Sequence, residues 1–343
     1  MTWIPLLLAD PSPCLRLRVL RELLGKPDDD AEVQELIALQ QEEGLVQELQ
    51  ILQEADGSWN PERRPGNFPG GRIQAAAAIL MQLGTLGLDF HSPLVDKAAR
   101  FLFANQQPDG GWPMPSVYPT EEGEEVSSMP MQTALPLAGL AMCGYAQDTR
   151  AERGYEWLLA RRLDDGAWPT GWCDGNLRGV AGYRRLAHSR WGCRSNTTAA
   201  VLSLAYHPVR CQSEAARHGL DLLLGRETHD RYNLGFDTAR RIGLEPFTGY
   251  LTFFGRFDPA LLLNLCARTG ASLQDERVED LKDFIRAVQG PYGLWEYPRR
   301  PQASHWISFD LLRSLTRLDE NGDWIALEPR TPFKAYIHPR KRY

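Results

Sequence analysis

Four short segments of this chain end in the same way, with a glycine turn followed by a tryptophan. The segments read QEADGSW at 53–59, QQPDGGW at 106–112, LDDGAW at 163–168 and QGPYGLW at 289–295. The first three tryptophans lie 53 and 56 residues apart, and the 127 residues before the fourth make about two such steps. A repeat of this length, carried by helical segments, indicates an array of helical hairpins. The repeat that lacks the signature falls near residue 230, where the chain reads RETHDRYNLGF.

Between the turns, apolar residues recur with helical rather than alternating spacing. Within 72–106, an alanine-rich and almost wholly apolar stretch precedes an amphipathic one, and Ser92 and Pro93 suit the start of the second helix. The same alternation predicts buried helices that start near 12, 72, 130, 195, 258 and 304. It predicts amphipathic helices near 44–54, 93–106, 149–162, 212–225 and 275–289, with a sixth at 29–41.

Six inner and about six outer helices describe an all-α fold, an (α/α)6 toroid, rather than an open solenoid. We expect one toroid domain over residues 1–343. Within it, the proline-rich and non-periodic segment 319–343 forms a largely extended C-terminal wrap.

The recurring turn has a physical interpretation. Glycine supplies the positive φ that ends an outer helix, and aspartate accepts hydrogen bonds from nearby amides of the turn. The tryptophan ring packs across the helix ends, where its indole N–H can donate to a carbonyl. Glutamines that precede the turns are placed to cap the next one. We therefore interpret the motif as a structural staple rather than a catalytic element.

Composition and charge narrow the classes of partner. A net charge of -6 and an isoelectric point near 5.7 argue against nucleic acid and against a general anionic-membrane footprint. Six cysteines without a CxxC pair favour a reducing, cytoplasmic location. We predict no signal peptide and no transmembrane segment, while peripheral membrane contact and the oligomeric state stay open.

The segments QQPDGGW, QEADGSW and DDGAW resemble the QW-type repeat of squalene and oxidosqualene cyclases, which the β subunits of protein prenyltransferases share. The resemblance implies an α/α barrel whose inner helices surround an apolar cavity for isoprenoid chains. It implies an isoprenoid-handling enzyme, of terpene cyclase or prenyltransferase type, that accepts a polyprenyl or polyprenyl diphosphate substrate. Mg²⁺ would accompany a diphosphate.

The chain departs from the motifs that carry chemistry in these families. It has no DxDD sequence, which class II terpene cyclases use to protonate an alkene. The zinc site of protein prenyltransferases needs an aspartate, a cysteine two residues later and a histidine in the next inner helix. Asp258 and His305 match the first and last of these, but Ala260 stands in place of the cysteine. We therefore expect neither zinc nor another firmly bound cofactor.

Two groups of polar residues are candidates for the mouth of the barrel. The first contains Arg184, Arg185, Arg190 and Arg194, which precede a predicted inner helix and suit a diphosphate because guanidinium groups and free N–H groups both favour anions. An exposed basic loop is the alternative. The second contains His229, Asp230 and Asp237, in the repeat that lost its tryptophan, as an acid–base pair or a polar clamp. Alternatively, His229 caps a helix end.

A third group lies at the starts of the last two inner helices and contains Tyr250, Arg256, Asp258, His305 and Trp306. Asp258 and His305 are candidates for acid–base work, and the aromatic residues could stabilise a cationic intermediate by cation–π contact. The alternative is that these aromatics belong to the core.

Two other functions stay open. The same toroid could hold a lipid or a protein without catalysis, which would explain the lost motifs. A carbohydrate-active (α/α)6 enzyme would need two carboxylates across a sugar, for which Asp237 and Asp258 are available.

Overall fold

The structure is a computed structural model. The residues it describes are 2–63, 71–115, 126–127, 129–173, 176–177, 179–180, 182–225, 229–247, 254, 256–319 and 331. Their fourteen α-helices are α1 (Trp3–Leu8), α2 (Pro13–Glu22), α3 (Ala31–Leu39), α4 (Gly44–Leu52), α5 (Arg72–Thr85), α6 (Pro93–Ala104), α7 (Pro130–Met142), α8 (Thr149–Leu159), α9 (Arg194–Ala205), α10 (Glu214–Leu224), α11 (Phe236–Arg241), α12 (Pro259–Thr269), α13 (Glu276–Ala287) and α14 (Ser304–Asp319). Two short antiparallel pairs join β1 (Met114–Pro115) to β2 (Val126–Ser127) and β3 (Trp172–Cys173) to β4 (Asn176–Leu177).

Six helices form a closed inner ring. In order around the ring they are α2, α5, α7, α9, α12 and α14; successive members from α5 to α14 pack together, and α14 packs on α2. The seam between α2 and α5 is closed by Arg18, whose Nη1 donates to the carbonyl of Thr85. Each inner helix begins within one residue of its predicted start. The predicted all-α toroid is confirmed.

Five of the six outer helices pack directly on the ring. Helix α3 lies on α2, α6 on α5, α8 on α7, α10 on α9 and α13 on α12. The sixth, α4, buries Val46 and Leu49 in the same hydrophobic core as the ring. These helices fall where the amphipathic pattern predicted them.

The four turn tryptophans are buried, and each indole Nε1 donates to a carbonyl ten residues earlier at 2.7–2.8 Å. The pairs are Trp59 with Leu49, Trp112 with Leu102, Trp168 with Leu158 and Trp295 with Ile285. Each ring therefore fastens the last turn of its own outer helix, and the predicted staple is confirmed.

Glutamine and glycine complete these turns. Gln53 Nε2 donates to the carbonyl of Leu94 at 3.0 Å, and Gln106 Nε2 donates to that of Arg150 at 2.8 Å, so each reaches the next outer helix. Gly110 has φ 97°, and a Cβ placed there would lie 2.4 Å from the Arg153 carbonyl oxygen. Only glycine fits this close approach.

Helix α11 belongs to the repeat without a tryptophan, and it was not predicted. Arg240 accepts a hydrogen bond at its carbonyl from Gln82 of α5, and Thr238 donates to Asp310 of α14, each at 3.2 Å. The helix also contacts α12, which stands across the ring from α5. Because α11 touches opposite sides, it lies in the hub. All six of its residues are buried and three are charged, so this part of the hub is more polar than the expected apolar cavity.

The expected C-terminal wrap lies outside the described residues except for the end of α14 and Thr331. The Thr331 N–H donates to both carboxylate oxygens of Asp221 at 3.1 Å. A single domain over 1–343 stays a prediction.

Candidate functional site

Asp258 joins two helices at the N-terminal end of the inner ring. It is the N-cap of α12, and Pro259 follows at the first helical position. Its Oδ1 accepts from the N–H groups of Ala260 and Gly235, both at 2.9 Å, and its Oδ2 accepts from that of Asp237 at 2.7 Å. One carboxyl group therefore satisfies amides at the starts of both α11 and α12.

Burial dominates the acidity of this group. Removal from water raises the pKa of the Asp258 carboxyl to about 7, and the charge of Asp237 adds to the rise. The hydrogen bonds from backbone N–H groups oppose the rise without cancelling it. The carboxyl is therefore partly protonated near neutral pH.

Asp237 is held by two arginines of its own helix. Its Oδ1 pairs with Arg240, and its Oδ2 lies 2.9 Å from Arg241 Nε. The Arg240 guanidinium lies 5.2–5.7 Å from the ring centroids of Phe236, Phe247 and Phe254. These distances are typical of cation–π contact, so three aromatic faces surround a cation of the protein itself.

Two other predicted residues meet Asp258. Arg194, at the start of α9, and Arg256 line a small cavity with Asp258 and Leu261. Its volume is about 20 Å³, room for roughly one water molecule. The Arg256 guanidinium also lies 4.5 Å from the Phe236 centroid. The structure thus brings together members of all three predicted groups, namely Arg194, Asp237, Arg256 and Asp258.

The four predicted diphosphate arginines have different surroundings. Arg184 is buried, with Nη1 3.7 Å from the Cys193 sulfur. Arg185 and Arg190 are exposed and border a surface pocket of about 530 Å³ that His188 and Trp191 also line. Arg194 lines the cavity beside Asp258.

His229 and Asp230 have partners other than Asp237. His229 Nε2 lies 2.8 Å from a carboxylate oxygen of Asp280, and its ring stacks on Phe284 at 4.7 Å. Asp230 caps a 3-10 turn by accepting from the Tyr232 N–H at 3.1 Å. His229 is therefore bound to the outer helix α13, and Asp230 is bound to its own turn.

His305 pairs with Asp10, and its Nδ1 lies 2.7 Å from Asp10 Oδ2. The sequence did not predict this pair. Trp306 is buried and meets Phe309 edge-on at 6.5 Å. Tyr250 lies outside the described residues.

The residues do not fit a zinc site of the prenyltransferase kind. Both Asp258 oxygens accept backbone N–H groups, the position two residues later is Ala260, and His305 is bound to Asp10. Across the part of the chain that the structure describes, no three His, Cys, Asp or Glu side chains are grouped to hold a metal.

Asp10, Arg240 and the phenylalanines around Arg240 were missed by sequence reasoning. The available signal was the charged run DTARR at 237–241, in the repeat without a tryptophan. This run does not belong to any of the predicted amphipathic outer helices. Asp10 precedes α2 in Asp-Pro-Ser, a pattern that by itself predicts only a helix start.

The raised pKa of Asp258 predicts a pH-dependent stability. The folded protein retains a proton that the unfolded chain releases between pH 4 and 7. The contribution of Asp258 is therefore full below about pH 4 and is lost as pH rises to about 7. We expect the free energy of unfolding of Asp258→Asn to lack this decline, which reaches at most about 1.4 kcal/mol per pH unit. Urea denaturation of both proteins from pH 4 to 8 measures the difference, and parallel curves would contradict it.

Comparison with known proteins gives one family match. A family model described as the squalene-hopene cyclase C-terminal domain matches residues 9–188, just over half of the chain. The lanosterol synthase of Candida albicans is 36% identical over 98 residues, which cover 27% of this chain and 13% of that protein. A probable squalene–hopene cyclase of Sinorhizobium fredii is 29% identical over 140 residues, which cover 40% of this chain and 20% of that protein. The chain thus matches a fifth or less of these relatives' length.

Two solved structures are similar over most of the chain. A protein from Actinoplanes is 17% identical with a TM-score of 0.33, and the match covers 80% of this chain and 97% of that one. The type II terpene cyclase MstE from Scytonema is 13% identical with a TM-score of 0.32, covering 80% and 95%. No helix among the described residues combines the length and hydrophobicity that a bilayer crossing requires.

Proposed function

Since the chain belongs to the squalene-hopene cyclase C-terminal domain family, we propose that it is an isoprenoid-handling enzyme that accepts a polyprenyl or polyprenyl diphosphate substrate inside its helical ring. The relatives are named as cyclases of squalene and a synthase of lanosterol. The proposal extends that chemistry to this chain, which matches only 13–20% of the length of those relatives.

The observation that carries the proposal is a carboxyl, that of Asp258, buried at the N-terminal end of an inner helix. A general acid works best when its pKa lies near the operating pH, and burial brings the pKa of Asp258 to about 7. The chain lacks the DxDD acid. A single carboxyl at the start of an inner helix is a candidate to replace it as proton donor.

The surroundings of Asp258 suit the rest of such a substrate. Arg194 and Arg256 share its cavity and carry the positive charge that a diphosphate needs. Phe236 is in contact with Arg256 and offers an aromatic face to a hydrocarbon or a developing cation. The cavity of about 20 Å³ is too small for an isoprenoid, so we propose that the neighbouring side chains move when substrate enters. His305, held by Asp10, is a second candidate for proton transfer.

The direct test is turnover. The purified protein is incubated with farnesyl or geranylgeranyl diphosphate, with and without Mg²⁺, and the organic extract and released pyrophosphate are measured. We expect a cyclised prenyl diphosphate, recovered in the extract after phosphatase treatment, because protonation of an alkene leaves the diphosphate in place. Its rate of formation should fall at least about 100-fold in Asp258→Asn, since general acids contribute on that scale. Asp283→Asn, an exposed carboxylate beside Lys282, is the matched control and should keep the wild-type rate.

A second candidate is a toroid that binds a lipid or a protein without catalysis. Two observations favour it. The aromatic faces around Arg240 already hold a cation, and both oxygens of Asp258 already accept N–H groups. Saturable binding of the diphosphate without product or pyrophosphate would support this candidate over the enzyme. Absence of both binding and turnover would contradict the isoprenoid proposal.

A further inference from the structure

A second cluster of charges lies toward the opposite end of the ring from Asp258. It is built on the C-terminal parts of α2, α12 and α14, together with α11 and Tyr206, the C-cap of α9. Its cations are Arg18, Arg241, Arg268, Arg313 and Arg317, and its carboxylates are Glu22 and Asp310.

The two carboxylates are already shared among several arginines. Glu22 Oε1 lies 2.6 Å from Arg18, and its Oε2 lies 3.1 Å from Arg313 and 3.5 Å from Arg317. Asp310 Oδ1 pairs with Arg313, and its Oδ2 lies 3.9 Å from Arg241. Each oxygen therefore faces at least one cation.

Arg268 is a cation without a carboxylate partner among the residues that the structure describes. Its Nε donates to the side-chain oxygen of Asn264 at 3.0 Å, and its guanidinium stacks 3.5 Å from the centroid of the Tyr206 ring. Within the same described part, the buried Nε of Arg313 has no hydrogen-bond acceptor. The described cluster therefore contains a hydrogen-bond donor without an acceptor, the Nε of Arg313, and a cation without a carboxylate partner, Arg268.

Five arginines and two carboxylates leave a net charge of +3 in the described cluster. Asp237 pairs with both Arg241 and Arg240. Counting Asp237 and Arg240 together adds no net charge, so the total of +3 is unchanged. The C-terminal dipoles of α2, α9, α12 and α14 supply about half a negative charge each, which offsets about two of the three charges. The remaining desolvated charge is costly without a partner, so a bound anion would stabilise the described part of the cluster.

The ionisation of neighbouring groups agrees with this excess. Burial lowers the pKa of Arg268 to about 10, and repulsion from Arg313 and Arg317 contributes. Burial alone would raise the pKa of the Tyr206 phenol, but the cations Arg268, Arg241 and Arg313 outweigh it and lower that pKa, against the opposing charge of Asp310.

We propose that this arginine cluster is a binding site for an anionic phosphate group, placed between Arg268, Arg313 and Arg317. Guanidinium groups bind phosphate oxygens through paired N–H donors, which matches the unused donors of the cluster. Arg317 is half-exposed and Tyr206 is partly exposed, so the cluster is open to solvent on this side. The site is separate from Asp258 and does not depend on the proposed isoprenoid chemistry.

The test compares Arg268→Gln with Arg299→Gln. The control is matched because Arg299 also lies over a tyrosine ring, that of the exposed Tyr232, at 5.1 Å. Thermal unfolding is measured in chloride buffer at pH 7.5 with increasing inorganic pyrophosphate. We expect pyrophosphate to raise the melting temperature of the wild type and of Arg299→Gln, since a ligand of the folded state stabilises it. Arg268→Gln should weaken that affinity at least tenfold.

The same variant gives a second result that loss of packing would not produce. Removing one uncompensated charge should raise the melting temperature of the anion-free protein, whereas an ordinary packing defect would lower it. A tyrosinate absorbance titration, with Tyr206→Phe as the blank, should show the pKa of Tyr206 rising when pyrophosphate binds. No stabilisation of the wild type by pyrophosphate, or equal loss in both arginine variants, would overturn the proposal.

The phosphate group can belong to a free anion or to a lipid headgroup. Co-sedimentation with phosphatidylcholine vesicles that contain phosphatidic acid separates these sources. Sedimentation that depends on Arg268 and is displaced by pyrophosphate assigns the site to a headgroup. Stabilisation by pyrophosphate without sedimentation assigns it to a free anion.

Discussion

Replacing Trp168 by alanine should lower the free energy of unfolding by about 3–5 kcal/mol, the range for removal of a buried large aromatic side chain. The indole is fully buried, and its Nε1 donates to the Leu158 carbonyl at 2.8 Å. The variant loses this packing and the indole hydrogen bond, and the Leu158 carbonyl keeps a backbone donor, the Arg161 N–H at 3.2 Å. Helix α8 therefore loses the contact that fastens its last turn to the tryptophan. Urea denaturation followed by circular dichroism measures the change.

Trp191→Ala is the control for that experiment. Trp191 is only partly buried, and the described contact of its ring is with Arg190, 5.1 Å from the centroid. We expect it to cost less than about 1 kcal/mol, as surface substitutions usually do. Similar losses in the two variants would contradict the special role of the turn tryptophans.

Asp310→Asn should cost about 3–5 kcal/mol, the penalty for removing one member of a buried ion pair. Asp310 is buried and accepts from Arg313, from Asn264 at 3.0 Å and from Thr238 at 3.2 Å. The surrounding cations hold the pKa of its carboxyl below the usual value, so it is ionised at neutral pH. The amide of the variant would carry no negative charge, and its NH2 group would face the N–H and O–H groups that now donate to Asp310.

Asp96→Asn tests whether burial, rather than ion pairing as such, sets that cost. Asp96 lies 2.7 Å from Arg100 on the surface of α6, where ion pairs contribute at most about 1 kcal/mol. Chemical denaturation of the two variants at the same pH compares them. A loss at Asp96 as large as the loss at Asp310 would mean that the buried cluster has no special weight.

The sequence predicted the ring well because its determinants are local. Helix starts were visible as Ser92–Pro93 and as apolar runs with helical spacing, and the structure confirms both. The turn tryptophans fixed the period. Their hydrogen bonds stay within ten residues, so no distant contact was needed to predict them.

Helix α11 could not be predicted in the same way. It is six residues long, and Phe236–Arg241 carries two arginines and an aspartate, a composition that indicates a surface segment. What buries it is tertiary structure, since Gln82, Asp258 and Asp310 come from distant parts of the chain. Their combined contacts override the local pattern.

The candidate site was predicted only in part, because residues beside a helix start can be found locally but pairs between distant residues cannot. Asp258 and Arg256 adjoin an inner-helix start and were found by position, and Arg194 was found because it precedes the helix start predicted near residue 195. The sequence could not show that His229 pairs with Asp280 or that His305 pairs with Asp10, because these partners are 51 and 295 residues away. The roles of all these residues stay predictions until they are tested.

Closure of the ring between α2 and α14 has a consequence for how the protein is made. Helix α14 leaves the ribosome about 290 residues after α2, which at 5–20 residues per second is a delay of roughly 15 to 60 s. Through that interval α2 lacks the packing contacts that it makes with α14 in the folded ring. The first inner helix to be synthesised therefore completes its packing only after the last inner helix has been made.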